Sequence, residues 1–310
     1  MQTTTSEGKK HKLDEINLRM HQVRSLSELR LSRDVLNTEA LMLVLNKKYK
    51  YSDGRRMLFK YLDAQDDEEV MSRKERVLEY LNHSPYKQLE VLVIPEYAVR
   101  VDSSFAGFAM PLIENHRNLG TLLHSPKVSF PQKKQYLEQL GAILDKVERI
   151  DSPHRMIFAD LNEYNFIVDK DGILRAIDLD SSYVEGLEGL DSPIYAYYLL
   201  NNPYLAAVPE KYAVDETGYV YPNQNSDLYS YCMILLGTLS GEAMHRKEMD
   251  DYYQYLKYLR EIGIHEDLLD IFYHIYTPKT NRNPRHFIEM LPDQILRKSS
   301  FKVFQKRKGL

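Results

Sequence analysis

The chain has 310 residues, 43% of them hydrophobic and 28% charged, which is the balance of a soluble globular protein with one two-lobed domain or two ordinary ones. A formal net charge of −4 excludes a general polyanion-binding role, and no specific nucleic-acid partner is expected. A single cysteine (Cys232) rules out an intrachain disulfide, the ten histidines lack a ligand spacing for zinc, and no apolar run approaches a membrane span. The polar N-terminus has no signal-peptide core, so a cytoplasmic location is expected.

Residues 1–12 are polar and expected to be disordered. Residues 13–36 mix short helix and strand signals. Thr38 to Tyr51 is apolar, then alternating, and Ser52-Asp53-Gly54-Arg55 turns it into Arg56 to Leu62, which predicts a β-hairpin. Asp66 to Asn82 reads as a helix whose acids crowd the first turn and whose apolar face carries Val70, Val77, Leu78 and Leu81. Leu89 to Ile94, Tyr97 to Val101 and Ser104 to Ile113 read as strands. Pro131 to Ile150 has Leu137, Leu140, Ile143, Leu144 and Val147 at helical spacing.

The chemistry concentrates between Phe158 and Asp180, FADLNEYNFIVDKDGILRAIDLD. Asp171-Gly172 is a hairpin signal. A two-residue turn there pairs Lys170 with Ile173 and sets Asn165 opposite Asp178, with Asp160 before them and Asp180 after. Oxygen ligands gathered at one end of a hairpin suit a hard cation such as magnesium.

An Asp followed five residues later by an Asn, then a second Asp at the end of the next strand, resembles the catalytic core of the protein kinase-like superfamily. An atypical Ser/Thr kinase of bacterial or phage type, or a pseudokinase, is the member suggested. The resemblance implies an α+β, two-lobed fold: a β-rich small lobe over 13–113, a larger mainly helical lobe over 114–296, and a basic tail over 297–310. It also implies ATP with magnesium or manganese. Asp160 would accept the substrate proton, Asn165 and Asp178 would hold metal, and Lys60 in LFKYL would contact phosphates. Glu75, with Glu69 as rival, would pair with Lys60. Met110 and Leu112 belong to the stretch that would meet the adenine. Read without the resemblance, Lys60 is a solvent residue on an edge strand. Asp180 stands where the family has glycine, either as a further metal ligand or as a solvent-facing residue at a strand end.

Later matches follow in order. Val208-Pro209-Glu210 resembles the triplet that closes an activation segment. Asn225 to Gly241 resembles the buried central helix of the large lobe, with Ser226 or Asp227 as cap and Asp227 accepting hydrogen bonds from the catalytic-loop backbone. Helices are expected near Met249–Ile262 and His265–Tyr276, and Arg282 or Arg285 would pair with Glu210. The tail from Arg297 to Lys308 is basic with Phe301 and Phe304 interspersed. It reads as a solvated tail, with a peripheral membrane or partner contact as the alternative.

The sequence also departs from the family. No glycine-rich loop precedes Lys60, Phe158-Ala159 replaces His-Arg, and Asn162 stands where Ser/Thr kinases carry Lys. The expected function is phosphoryl transfer from ATP to a hydroxyl, on a protein or a small molecule. The alternative is a pseudokinase serving as a nucleotide-binding or scaffolding module with a regulatory partner.

Overall fold

The computed structural model describes residues 13–28, 40–62, 68–187, 222, 224–241, 257–264, 266 and 283–291. The expectations for residues 1–12, for Val208-Pro209-Glu210, for Arg282, for most of the Met249–Ile262 and His265–Tyr276 helices and for the basic tail lie outside them. The chain divides into two compact units. One holds the chain up to Leu89 together with Val93–Leu112, the other Glu90–Leu92 and Ile113 onward.

The first unit is built on a six-stranded sheet. Its strands are β1 (Asp14–Leu18), β2 (Ser27–Glu28), β3 (Ala40–Val44), β4 (Met57–Leu62), β5 (Tyr97–Val101) and β6 (Ser104–Pro111), in the spatial order β1-β5-β6-β4-β3-β2. β3 and β4 form the predicted antiparallel hairpin, Met42 opposite Lys60. Gly54, at φ +84°, turns its tip, and its N–H donates to Tyr51 C=O at 2.9 Å. β1 is the exception in direction, running parallel to β5 with Asp14 opposite Tyr97. The link from β1 to β2 contains one helical turn, α1 (Met20–Val23). Val23 enters a core with Ile16, Leu18, Leu43, Phe59 and Val99, so this link lies on one face of the sheet.

Side chains alternate faces along a strand. With Phe59 and Val99 on the α1 face, Lys60 and Arg100 project from the other. There α2 (Glu68–His83) packs, as the Arg100–Glu75 ion pair at 3.3 Å records. Glu68 and Glu69 sit in its first turn, where the helix dipole favours them. Val77, Leu78 and Leu81 are buried as expected, but Val70, on the same stripe seven residues before Val77, is 41% exposed in the first turn of the helix. Leu89 to Ile94 is not a strand. A 3-10 turn over Pro85–Gln88 precedes it, and its only ladder contact is an isolated bridge from Leu92 to Ala176. The apolar run there marks burial of Leu92, Val93 and Ile94 in irregular chain.

The second unit is mainly helical among its described residues. β7 (Arg117–Asn118) leads into α3 (Leu119–His124) and α4 (Phe130–Glu148), which Ser129 caps. Small pairings follow: β8 (Met156–Ile157) with β11 (Tyr183–Val184), and β9 (Phe166–Val168) between β7 and β10 (Leu174–Ala176). α5 (Gln224–Ser240) is buried on every side from Leu228 to Leu239, including Cys232, and Gly241 at φ +75° stops it. α6 (Pro284–Glu289), capped by Asn283, buries Phe287 and Ile288, while Arg285 is exposed.

Candidate active site

The loop from Phe158 to Asn165 hangs between two pinned ends. β8 precedes it and pairs with β11, while β9 follows it and lies inside a three-stranded sheet. The Phe158 ring anchors the start, packed 5.8 Å from Phe166. Asp160 N–H donates to Phe158 C=O at 2.6 Å across Ala159, whose φ of 62° is left-handed. A non-glycine residue there is strained by about 1–3 kcal/mol and persists only where its surroundings fix it.

Asp227 supplies that fixation. Its Oδ2 accepts from Phe158 N–H at 2.8 Å and its Oδ1 from Ala159 N–H at 3.0 Å. The expected contact between Asp227 and the backbone of this loop is thus present. Asp227 is not the cap of α5, however. The helix starts at Gln224, which leaves this carboxylate inside the first turn and free to face the loop. Burial pushes its carboxyl up to about 7, against the pull of the two N–H donors.

Further along, Asn162 Oδ1 accepts from Tyr164 N–H at 2.9 Å and its Nδ2 donates to Asp160 C=O at 3.2 Å, closing a 3-10 turn over Glu163–Asn165. Asn162 therefore has a local scaffolding role. Asn165 Nδ2 donates to both Asp160 C=O (2.9 Å) and Asp160 Oδ2 (3.1 Å). The structure thus brings Asp160 and Asn165 together, with the Asn165 amide nitrogen committed to Asp160 and its oxygen turned the other way.

The hairpin differs from the expected one by a single residue. Val168 pairs with Leu174, Ile167 with Arg175 and Phe166 with Ala176, and Asn165 C=O accepts from Ile177 N–H at 2.9 Å. Asn165 faces Ile177, not Asp178. The connection has three residues rather than two: Gly172 takes a positive φ (80°), but Asp171 does not, and either mirror-image two-residue turn needs a positive φ at its first central residue. Asp169 organises it: the carboxylate accepts from Asp171 N–H, Ile173 N–H and Arg175 Nε. Partial burial opposes ionisation of Asp169, but these donors outweigh it and hold the carboxyl below its ordinary range. Gln139 of α4 ties the hairpin down, donating to Gly172 C=O and accepting from Leu174 N–H.

Asp178 follows Ile177 in the left-handed conformation, φ 64° and ψ 39°, and turns the chain into a 3-10 segment over Leu179–Ser181. Asp180 within it is 0% exposed, so the solvent-facing reading is corrected: the second strand has already ended at Ala176, and Asp180 points inward. Among the described residues no group of three or more His, Cys, Asp or Glu side chains is gathered as a metal site.

The remaining site residues lie in the first unit. Lys60 is on an interior strand, paired to both β3 and β6, and 6% exposed, so it is no edge residue. It shares a sheet face with α2, whose Glu75 is engaged by Arg100, while Glu69 is exposed. Met110 is buried in β6 opposite Leu58, and Leu112 spends its N–H on Arg56 C=O at 2.8 Å.

Neither a protein-family model nor a curated protein matches the chain by sequence. Among solved structures, the apo GRMZM2G135359 pseudokinase is similar over 100% of this chain and 99% of its own, with a TM-score of 0.50 and 10% identity. With its β-rich sheet unit, its largely helical second unit and the loop held by Asp227, the chain has the protein kinase-like fold.

Proposed function

We propose that this chain is an atypical kinase of the cytoplasm that binds ATP with magnesium or manganese and transfers the γ-phosphoryl group to a hydroxyl, on Ser or Thr of a protein. The observation that carries the reading is the bonded pair of Asp160 and Asn165 in a strained loop backed by Asp227. The donor chemistry fits a hard cation. With Nδ2 of Asn165 on Asp160, the amide oxygen is the atom left to meet a metal, and Asp178 adds a carboxylate, with Asp180 as a further candidate. A bound cation there would offset charge on the transferring group. Asp160 orients the acceptor hydroxyl and takes its proton, and the Asn165 contact holds that carboxylate in one orientation. Lys60 steadies phosphates, with Glu75 supporting it. Met110 and Leu112 line the adenine, Leu112 through its carbonyl and side chain because its amide is occupied.

A second reading is a pseudokinase, a binding module with a protein partner. What favours it is the lack of a gathered carboxylate cluster among the described residues, together with the missing glycine-rich loop and catalytic-loop lysine. Incubation with γ-labelled ATP and magnesium or manganese, comparing wild type with Asp160→Ala and Asp178→Ala, separates the two. Label on protein in wild type alone is expected. A metal-dependent thermal shift without transfer would favour the binding module, and neither transfer nor shift would sink the kinase reading.

A further inference from the structure

Between Asp160 and Asn165 the loop buries a carboxylate that phosphoryl transfer leaves without a task. Glu163 is 1% exposed, and its Oε1 lies 2.9 Å from Nε2 of His124, the last residue of α3. A carboxylate removed from water needs close hydrogen-bond donors. Nδ1 of His124 is itself buried with no hydrogen-bond partner, so the ring proton belongs on Nε2, which donates it to Glu163. α3 holds the loop at two further points. Asn118 caps the helix through Oδ1 and donates through Nδ2 to Tyr164 C=O at 2.8 Å. Gly120 lies so close that a Cβ would stand 2.7 Å from the Tyr164 ring and 2.9 Å from Cγ of Glu163.

We propose that His124 is a positioning residue: its Nε2–H holds Glu163 and so fixes the Asp160–Asn165 loop. A three-residue 3-10 turn is too short to hold itself, since its hydrogen bonds are few and poorly aligned. Its rigidity is therefore borrowed from α3. What the loop is positioned for rests on the nucleotide reading, while the positioning itself does not.

The test compares wild type, His124→Ala and His124→Gln by amide hydrogen exchange and, in parallel, by calorimetric titration with magnesium-ADP. The reporters are Tyr164 N–H and Asn165 N–H, bonded to Oδ1 and O of Asn162. Both should exchange about tenfold faster in His124→Ala and return to within about threefold of wild type in His124→Gln, whose amide restores a donor, with α4 unchanged. Equal exchange in all three proteins overturns the proposal. So does His124→Gln behaving like His124→Ala, since ring packing would then be the cause. For magnesium-ADP, about tenfold weaker binding in His124→Ala with recovery in His124→Gln ties the loop to the nucleotide. Unchanged affinity despite faster exchange breaks that tie. A wild type that binds no magnesium-ADP overturns the nucleotide reading and leaves exchange to decide the positioning.

Discussion

Asp227 gathers two backbone N–H groups on one buried carboxylate, and its cost depends on pH. Because burial raises its carboxyl from the ordinary 3.8 to about 7, the folded chain keeps a proton that the unfolded chain has released between those values. Its contribution to stability is therefore largest below about pH 4 and declines as pH rises to about 7. Asp227→Asn does not titrate and turns an NH2 toward one of the two N–H groups. It should lose that slope and cost about 1–3 kcal/mol from the stranded donor. Urea midpoints at pH 5 and pH 8 check this, and identical pH dependence in both proteins would refute it. The sequence located this residue by its place at the head of an apolar helix, but burial could not be read there. Asp180 shows the same gap: a carboxylate near a strand end looks solvated until the strand proves to end four residues earlier. Lys60 was open to two readings until the order of strands placed it in the sheet interior.

At the scale of elements, glycine at position 107 is what lets β6 approach β4. At φ 137°, a Cβ on this residue would stand 2.0 Å from the carbonyl oxygen of Lys60. Gly107 also adjoins the bulge where the β5–β6 register shifts after Val99. Gly107→Ala must displace the backbone that carries Lys60, at a cost of about 2 kcal/mol or more. A thermal midpoint within a degree of wild type would contradict this. The elements themselves were largely legible. Hairpin β3–β4, strands β5 and β6 and helices α2, α4 and α5 announce themselves by periodicity and turn residues. The error at β9–β10 was one of turn chemistry. Asp169 at the first position and Gly172 at the fourth is the signature of a type I turn, and it outranks the Asp-Gly pair inside it. Nothing local signals α3 gripping the loop, because His124 and Glu163 lie 39 residues apart.

For the whole molecule, the path of the chain matters most at Glu90–Leu92, which belongs to the second unit although both its neighbours belong to the first. Two bonds fasten it: Ala176 N–H to Val91 C=O at 2.8 Å and Arg175 Nη1 to Glu90 C=O at 2.7 Å. Arg175 also pairs with Asp169. Arg175→Ala should therefore loosen the excursion and the hairpin turn together, costing about 1–2 kcal/mol. Hydrogen exchange would then quicken at both Ala176 and Ile173, and faster exchange at only one of them would show that the two are not coupled through this side chain.

The parallel pairing of β1 with β5 sets an order of events during biosynthesis. Arg100 reaches back to Glu15 across 85 residues of chain. At ribosomal speeds of about 5–20 residues per second, β1 waits roughly 4–17 s for its partner strand to be made. Throughout that interval β1, which carries the core residues Ile16 and Leu18, has not yet met the strand it pairs with. β1 therefore joins its sheet only after β2, β3 and β4 have been made, although it precedes all three in the chain.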